Sequence, residues 1–359
     1  MNKFTLPIRA KTAHSALWLS VAALGVMAAS SAQAGSYYNC ANPSGCVEVQ
    51  NEKPKSDYDA TKYPIVMAHG FLGWNRALGF LDYFNDIPQT LIQNGAEVYS
   101  TKTSTVNSVE VRGEQLAQQI RTITAVTGSD KVNLIGHSQG GLDARYAAGI
   151  DPQRVASITT VATPHNGAQI GDKISDWIAK GNADAGTAEG EFNINAKLLI
   201  GAFNAVGTVI DAASAGIPLD KTQEQSADGF IYSLSKDNFV RFNNKFPAPI
   251  PKTYCGSTPA NNVMNGVGYY SFSGVGQITN ILDPSDYILK VTSTFYDKDN
   301  LNDGLVAKCS SRVGYVIRDD YKMNHLDSIN QFFGLVSWLE ANPKAVYRQQ
   351  INRLKVAGY

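Results

Sequence analysis

Five runs along this chain are rich in Val, Ile, Tyr and Thr: YPIVMAHG (63–70), GAEVYSTKT (95–103), KVNLIGHS (131–138), VASITTVAT (155–163) and VGYYSFSGVG (267–276). Their apolar residues are nearly continuous rather than alternating with polar ones, which predicts strands buried on both faces. Between the early runs the period changes. In EQLAQQIRTITAV (114–126), Leu116, Ile120 and Ile123 fall on one face of a helix. Strands alternating with helices predict a mainly parallel sheet with helices on both faces. Residues 35–62 are polar and rich in Asn, Pro and Lys, and read as an arm outside the core. A different pattern covers about 180–218. Between Phe192 and Leu219 the only charges are Lys197 and Asp211, too few for an ordinary solvated excursion. Leu198, Leu199, Phe203 and Val206 suggest one apolar helical face there, with Gly201 and Gly207 lowering helix stability. This reads as a mobile helical insertion, against the alternative of a helix packed permanently on the core.

The N-terminal 34 residues carry Lys3, Arg9 and Lys11, then ALWLSVAALGVMAA, then SAQAGS with small residues at Ala32 and Ala34. That order is expected of a secretory signal peptide cut after Ala34, followed by passage through the periplasm to the outside. The run is shorter than the ~20 apolar residues that span a bilayer, and no transmembrane segment is expected elsewhere. Lys plus Arg equals Asp plus Glu at 31 each, so there is no electrostatic footprint for nucleic acid. The four cysteines, Cys40, Cys46, Cys255 and Cys309, suit disulfides in an oxidising compartment. Three pairings are open. A small Cys40–Cys46 loop with a long-range Cys255–Cys309 clasp is favoured over the other two, and over zinc, whose close Cys pairs are missing.

Chemistry concentrates at VNLIGHSQGG (132–141). An apolar strand ending in Gly-x-Ser-x-Gly before a helix-like segment forces Ser138 outward at a sharp turn, where side chains at Gly136 and Gly140 would collide with neighbouring elements. A nucleophilic serine needs a base, and an acid to orient it. His137, next to Ser138 on the strand, should point away from it. His69 and His165 lie in loops and read equally well as structural. His325, in YKMNHLDSINQFFG, lies before what reads as an amphipathic helix and completes the order Ser, Asp, His of an α/β-hydrolase. Asp283, Asp286, Asp297, Asp299 and Asp303 are all available as the acid; Asp303 is preferred because a turn glycine and an apolar run follow it, as at a strand end. The oxyanion donors would be the amides of Gln139 and of Phe71 in AHGFLG.

Taken together, YPIVMAHGFLG, GHSQGG, VATPHNG, NDGLVAKCSS and VIRDDYKMNHLDSINQFFG resemble the secreted, foldase-dependent triacylglycerol lipases of the Pseudomonas type, from about Tyr63 to the C-terminus. The resemblance implies an α/β-hydrolase fold with a helical lid over a catalytic domain at 63–359. It implies Ser138, Asp303 and His325 as nucleophile, acid and base. It also implies one structural calcium held by the carboxylates of Asp283 and Asp327 and the backbone oxygens of Gln331 and Leu335, the Cys255–Cys309 disulfide, and a foldase partner during export. Hard carboxylate and carbonyl oxygens suit that cation. Without the resemblance, Asp327 would read as a charge favourable to a helix N-terminus. Two departures stand out: the position after the nucleophile, often His in the family, is Gln139, and the arm with Cys40 and Cys46 has no family counterpart. The expected activity is hydrolysis of lipid esters at a lipid–water interface. The alternatives are a carboxylesterase or polyester hydrolase with the same triad, and a non-catalytic binding module.

Overall fold

The structure is a computed structural model that describes residues 35–42, 45–172 and 190–359, with side chains in the last span from residue 200 onward. The expected signal peptide, Pro43 and Ser44 of the small cysteine loop, the first part of the expected insertion, and the Leu198 and Leu199 side chains lie outside it.

In chain order the principal elements are β1 (Gly35–Asn42), β2 (Gly45–Glu52), β3 (Ile65–Ala68), α1 (Ile87–Ile92), β4 (Glu97–Thr101), α2 (Val109–Thr127), β5 (Val132–His137), α3 (Gln139–Ile150) and β6 (Val155–Val161). There follow α4 (Gly190–Ala215), α5 (Ala227–Ser233), α6 (Lys236–Lys245), β7 (Val263–Met264), β8 (Val267–Gly274), α7 (Pro284–Ser293), β9 (Tyr315–Tyr321) and α8 (Pro343–Val356). The sheet order is β9-β8-β6-β5-β3-β4-β1-β2, with β7 beside β8. From β9 to β1 every pairing is parallel; β1–β2 and β7–β8 are antiparallel.

All five apolar runs form strands of this sheet. Ile65 and Met67 of β3 join one buried cluster and Val66 and Ala68 the other, so both faces are covered and no polar alternation is needed. Helix α2 presents Leu116, Ile120 and Ile123 to one face as their spacing predicts. It starts where the Ser108 side chain accepts the Val111 amide and stops at Gly128, whose φ of 68° is left-handed.

The expected arm at 35–62 is a correction. Its first half forms β1 and β2, β1 pairs in parallel with β4, and Tyr37 is fully buried with its hydroxyl donating to Asp82 at 2.7 Å. Main-chain bonding to β4 on one side and β2 on the other holds β1 whatever its average polarity, and composition averaged over the segment hid the buried Ser36, Tyr37 and Cys40. Disulfides join Cys40 to Cys46 across the β1–β2 hairpin and Cys255 to Cys309 over a sequence separation of 54. Among the described residues no helix is long and apolar enough to cross a membrane.

Candidate active site

Strand β5 ends at His137 and α3 begins at Gln139, leaving Ser138 alone in the turn at φ 54°, ψ −127°. A non-glycine residue there carries strain on the order of 1–3 kcal/mol, and the surroundings hold it in place. The Ser138 amide donates to the Val161 carbonyl of β6 at 2.8 Å, and the Gly141 amide donates to the Ser138 carbonyl. A Cβ on Gly136 would lie 2.4 Å from the Gly140 carbonyl oxygen, and one on Gly140 would lie 2.4 Å from that of Ala68. Both glycines are therefore demanded by the close approach of β5, α3 and the end of β3.

His325 meets Asp303. Its Nδ1 lies 2.8 Å from Asp303 Oδ2, and its amide donates to the Asp303 carbonyl at 3.0 Å; both side chains are buried. A carboxylate only accepts, so Nδ1 carries the proton and Nε2 keeps a free lone pair. The second oxygen of Asp303 accepts the amides of Leu305 and Val306 at 3.0 and 2.7 Å. Asp303 thus stands in a loop closed by its own side chain rather than at a strand end. The C-terminal amphipathic helix expected just after His325 begins only at Pro343; before it, a short 3-10 turn at Asp327–Ile329 leads into left-handed Asn330, Phe332 and Phe333. Of the rival acids, Asp297 pairs with Gln169, and Asp283 and Asp286 gather elsewhere.

The other histidines are structural. His137 points away from Ser138, and its Nε2 lies 3.0 Å from the His325 carbonyl oxygen, which can only accept. Nδ1 is then the acceptor for the Tyr83 hydroxyl at 2.8 Å, and that hydroxyl in turn accepts the Gly70 amide at 3.1 Å. Burial holds His137 well below the usual histidine range, with the neighbouring His325 adding to the shift, so it stays neutral. Tyr83, which the sequence reading passed over, thereby ties the AHGFLG loop to the backbone of His325. Burial brings His69 down to about 3, assisted by Arg112; its Nε2 accepts the Thr103 amide. His165 is likewise buried, between Arg145 and Thr160.

The amide of Phe71 has no acceptor among the described residues. Gln139, as the first residue of α3, has one of the amides a helix leaves unpaired. Its side chain donates to the Asn107 carbonyl at 2.8 Å, a local anchor in place of the family's usual histidine. Both residues line, with Ser138 and His325, a cavity of about 550 Å³ whose walls are otherwise chiefly apolar. Phe71 stacks on Phe230 with ring centroids 3.6 Å apart and meets Phe203 of α4 edge-on at 5.6 Å. Helix α4 therefore contributes to the cavity, although Val206 turns to solvent rather than sharing the apolar face expected of it. Its later turns are fastened to the body. Asp211 makes a buried ion pair with Lys102 at 2.6 Å, Asn204 accepts the Ala227 amide, and Ser214 donates to Asn75.

The profile of the α/β-hydrolase fold matches residues 63–181. Over 301 residues the chain is 41% identical to a triacylglycerol lipase of Vibrio cholerae, covering 84% of this chain and 90% of that one. It is 35% identical to a triacylglycerol lipase of Pseudomonas fragi, covering 83% and 98%. This chain belongs to the bacterial triacylglycerol lipase family. Among solved structures, the lipase of Staphylococcus hyicus shares the fold, with a TM-score of 0.54 at 18% identity over 85% of this chain and 98% of that one. The lipase is thus an α/β-hydrolase by descent and by architecture.

A second polar group lies near the lipase's histidine loop. Asp283, Asp286 and Asp327 are all buried and offer carboxylate oxygens within 4.8 Å of one another. Asp286 was not among the expected ligands. Its place three residues after Asp283, at the start of α7, could have pointed to it, since residues at that spacing share a helix face. One oxygen of Asp286 accepts the amides of Thr279 and Asn280, and the other accepts the Asn324 side chain at 2.5 Å. Asp327 accepts the Asn324 amide with one oxygen, while its other oxygen is buried without a partner. Burial pushes its carboxyl up to about 7, and the adjoining carboxylates add to the shift. Three such groups, one with an orphaned oxygen, fit a hard cation, which would relieve the repulsion between them. The Gln331 side chain turns toward the Asp82 and Tyr83 carbonyls; its own carbonyl and that of Leu335 belong to the following turn.

Proposed function

We propose that this lipase hydrolyses triacylglycerols through a serine acyl-enzyme, with Ser138 as nucleophile, His325 as base and Asp303 as orienting acid. The observation that carries the reading is the 2.8 Å Asp303–His325 contact, which leaves His325 Nε2 as acceptor on the same cavity wall as the outward-held Ser138. Nε2 takes the hydroxyl proton as Oγ attacks the ester carbonyl. The amides of Phe71 and Gln139 hold the developing oxyanion, and the imidazolium, stabilised by Asp303, gives its proton to the departing alcohol. Water, deprotonated by the same nitrogen, releases the fatty acid and restores Ser138. The apolar walls suit an acyl chain.

Calcium, held by Asp283 and Asp327 with Asp286 beside them and backbone oxygens of Gln331 and Leu335, would supply structural charge neutralisation and take no part in the ester chemistry. The insertion ending in α4 acts as a lid at an interface, because Phe203 closes the cavity from that side. The later turns of α4 are fastened to the body at Asn204, Asp211 and Ser214. Secretion belongs to the same reading, supported by two disulfides and the leader pattern. Foldase assistance during export follows from the family resemblance alone.

Hydrolysis of emulsified triolein, followed by released fatty acid, tests the proposal. Ser138→Ala should lower the rate by several orders of magnitude while leaving a folded protein. Activity within a few-fold of the parent would overturn it. A rate that does not rise as an ester passes its solubility limit would favour the carboxylesterase alternative.

A further inference from the structure

Beside the cavity, on the side formed by α7, the chain exposes apolar residues that no packing requires. In the loop leading to α7 and in its first turns, Ile281 is 76%, Leu282 68% and Ile288 66% exposed. In the turn after His325, Phe333 is 81%, Trp338 86% and Leu339 88% exposed. The Asn280 side chain donates to the Val336 carbonyl at 3.4 Å, and Asn324, next to His325, bonds Asp286 of α7, so the two segments form one surface. The turn buries Ile329 and Val336, yet directs Phe333 outward through left-handed residues at Asn330, Phe332 and Phe333. Isolated exposed apolar side chains need no explanation, but a group on two linked segments beside the cavity, with Phe333 held out by left-handed backbone, does.

We infer that the 281–291 and 332–339 segments form a fixed docking surface for the uncharged surface of a triacylglycerol droplet, separate from the α4 lid. The inference rests on the lipase reading. Two observations name the occupant. First, Ile288 and Phe332 belong to this surface and also line the cavity with Ser138, so the surface is continuous with the path an acyl chain must take, and a rigid protein seated there would block it. Second, charge on it is sparse: Lys290 donates to the neutral Gln277 side chain at 2.8 Å, and at the edge Arg318 pairs with Glu340 at 2.9 Å. Between Phe332 and Leu339 there is no charged residue. A surface with an exposed Trp and Phe, whose one cation without an acidic partner is Lys290, lacks the basic cluster that an anionic membrane requires and suits a neutral interface.

The test uses the full-length protein with Phe333→Glu and Trp338→Glu together, neither of which lines the cavity. Binding to phosphatidylcholine-coated triolein droplets is measured by flotation in a Ser138→Ala background, and hydrolysis of a dissolved short-chain ester in the active background. The expected result is at least a tenfold loss of droplet binding, insensitive to salt, with dissolved-ester hydrolysis within about twofold of the parent. If the double variant does not fold, Leu339→Glu alone should reduce binding in the same direction. Unchanged binding, or a parent that is dimeric in solution and becomes monomeric in the variant without losing droplet binding, would overturn the inference. A parent that binds droplets but never hydrolyses triolein would remove the substrate reading and leave the docking surface standing.

Discussion

The loop carrying His325 is held by two sets of buried carboxylates that meet the cost of burial differently. Asp303 has a partner at every turn: His325 Nδ1 at one oxygen, the Leu305 and Val306 amides at the other, and the His325 amide at its own carbonyl. The Asp283, Asp286 and Asp327 group brings three acids together, borders the same loop through Asn324, and leaves one oxygen of Asp327 orphaned. The first set is complete with protein groups alone, as its proposed task of stabilising a charge on the His325 imidazole requires. The second leaves an oxygen that a cation would satisfy, as its proposed task of holding segments together requires. On the proposed reading, similar burial of the same residue type serves chemistry in one place and attachment in the other, and the partners distinguish them.

The largest effect expected to sharpen this contrast comes from Asp303→Asn. The shape is kept, but the amide cannot hold the histidine tautomer that leaves Nε2 as acceptor; a loss of about 10⁴ in kcat is expected, the scale of such a change in serine hydrolases. Thermal stability and response to chelators should match the parent. Steady-state kinetics with melting curves decide it, and a variant with normal kcat would take Asp303 out of the chemistry.

Disturbing the second set should do the reverse. Chelation, or Asp327→Ala, is expected to lower the melting temperature and to reduce activity together, because ion binding favours only the folded state and pins the turn that follows His325. Differential scanning calorimetry with and without added calcium, with elemental analysis of the purified protein, gives the answer. If exhaustive chelation changes neither melting nor rate and no calcium is found, the cluster is a set of structural charges and the contrast collapses. Phe203→Asp stands apart from both sets: it should weaken turnover of emulsified triglyceride by several-fold more than turnover of a dissolved ester. Equal loss on both would point to misfolding.

What could be read from the chain follows from how local each feature is. GHSQGG announces itself because the strand, the serine and both glycines are contiguous, and the buried strands declare themselves by runs of Val, Ile and Thr. His325 was reachable because few histidines compete and chain order excludes most of them. Asp303 was one of five, preferred for the glycine and apolar run that follow it, and the family resemblance raised it above its rivals. Periodicity misjudged the DSINQFFG segment, where apolar Ile329 and the Phe pair mimic a helical face although left-handed backbone breaks it. Tyr83 went unread, and Asp286 was weighed only as a rival acid, because their meaning lies in partners far along the chain: Tyr83 meets His137 across 54 positions, and Asp286 meets Asn324 across 38. Strand β1 failed for a related reason, since pairing by main-chain bonds leaves little trace in side-chain polarity.

Tyr83→Phe offers the finest division between the two sets. The hydroxyl accepts the Gly70 amide and donates to His137 Nδ1, and His137 supports the His325 carbonyl, so one oxygen couples the loop bearing the Phe71 amide to the backbone of the base. Its removal leaves a buried donor and a buried acceptor unpaired, each a cost of about 1–3 kcal/mol in the unrelaxed site. Some of this is expected to be relieved by a small shift of the AHGFLG loop. Because the Phe71 amide is needed where charge develops and not where substrate first binds, kcat should fall about tenfold while KM changes little. The stability gained from added calcium should equal that of the parent, since no bond of the carboxylate cluster involves Tyr83. A rise in KM with kcat intact would make Tyr83 a wall of the acyl cavity rather than a positioning residue. A changed calcium response would mean that the two sets are mechanically one.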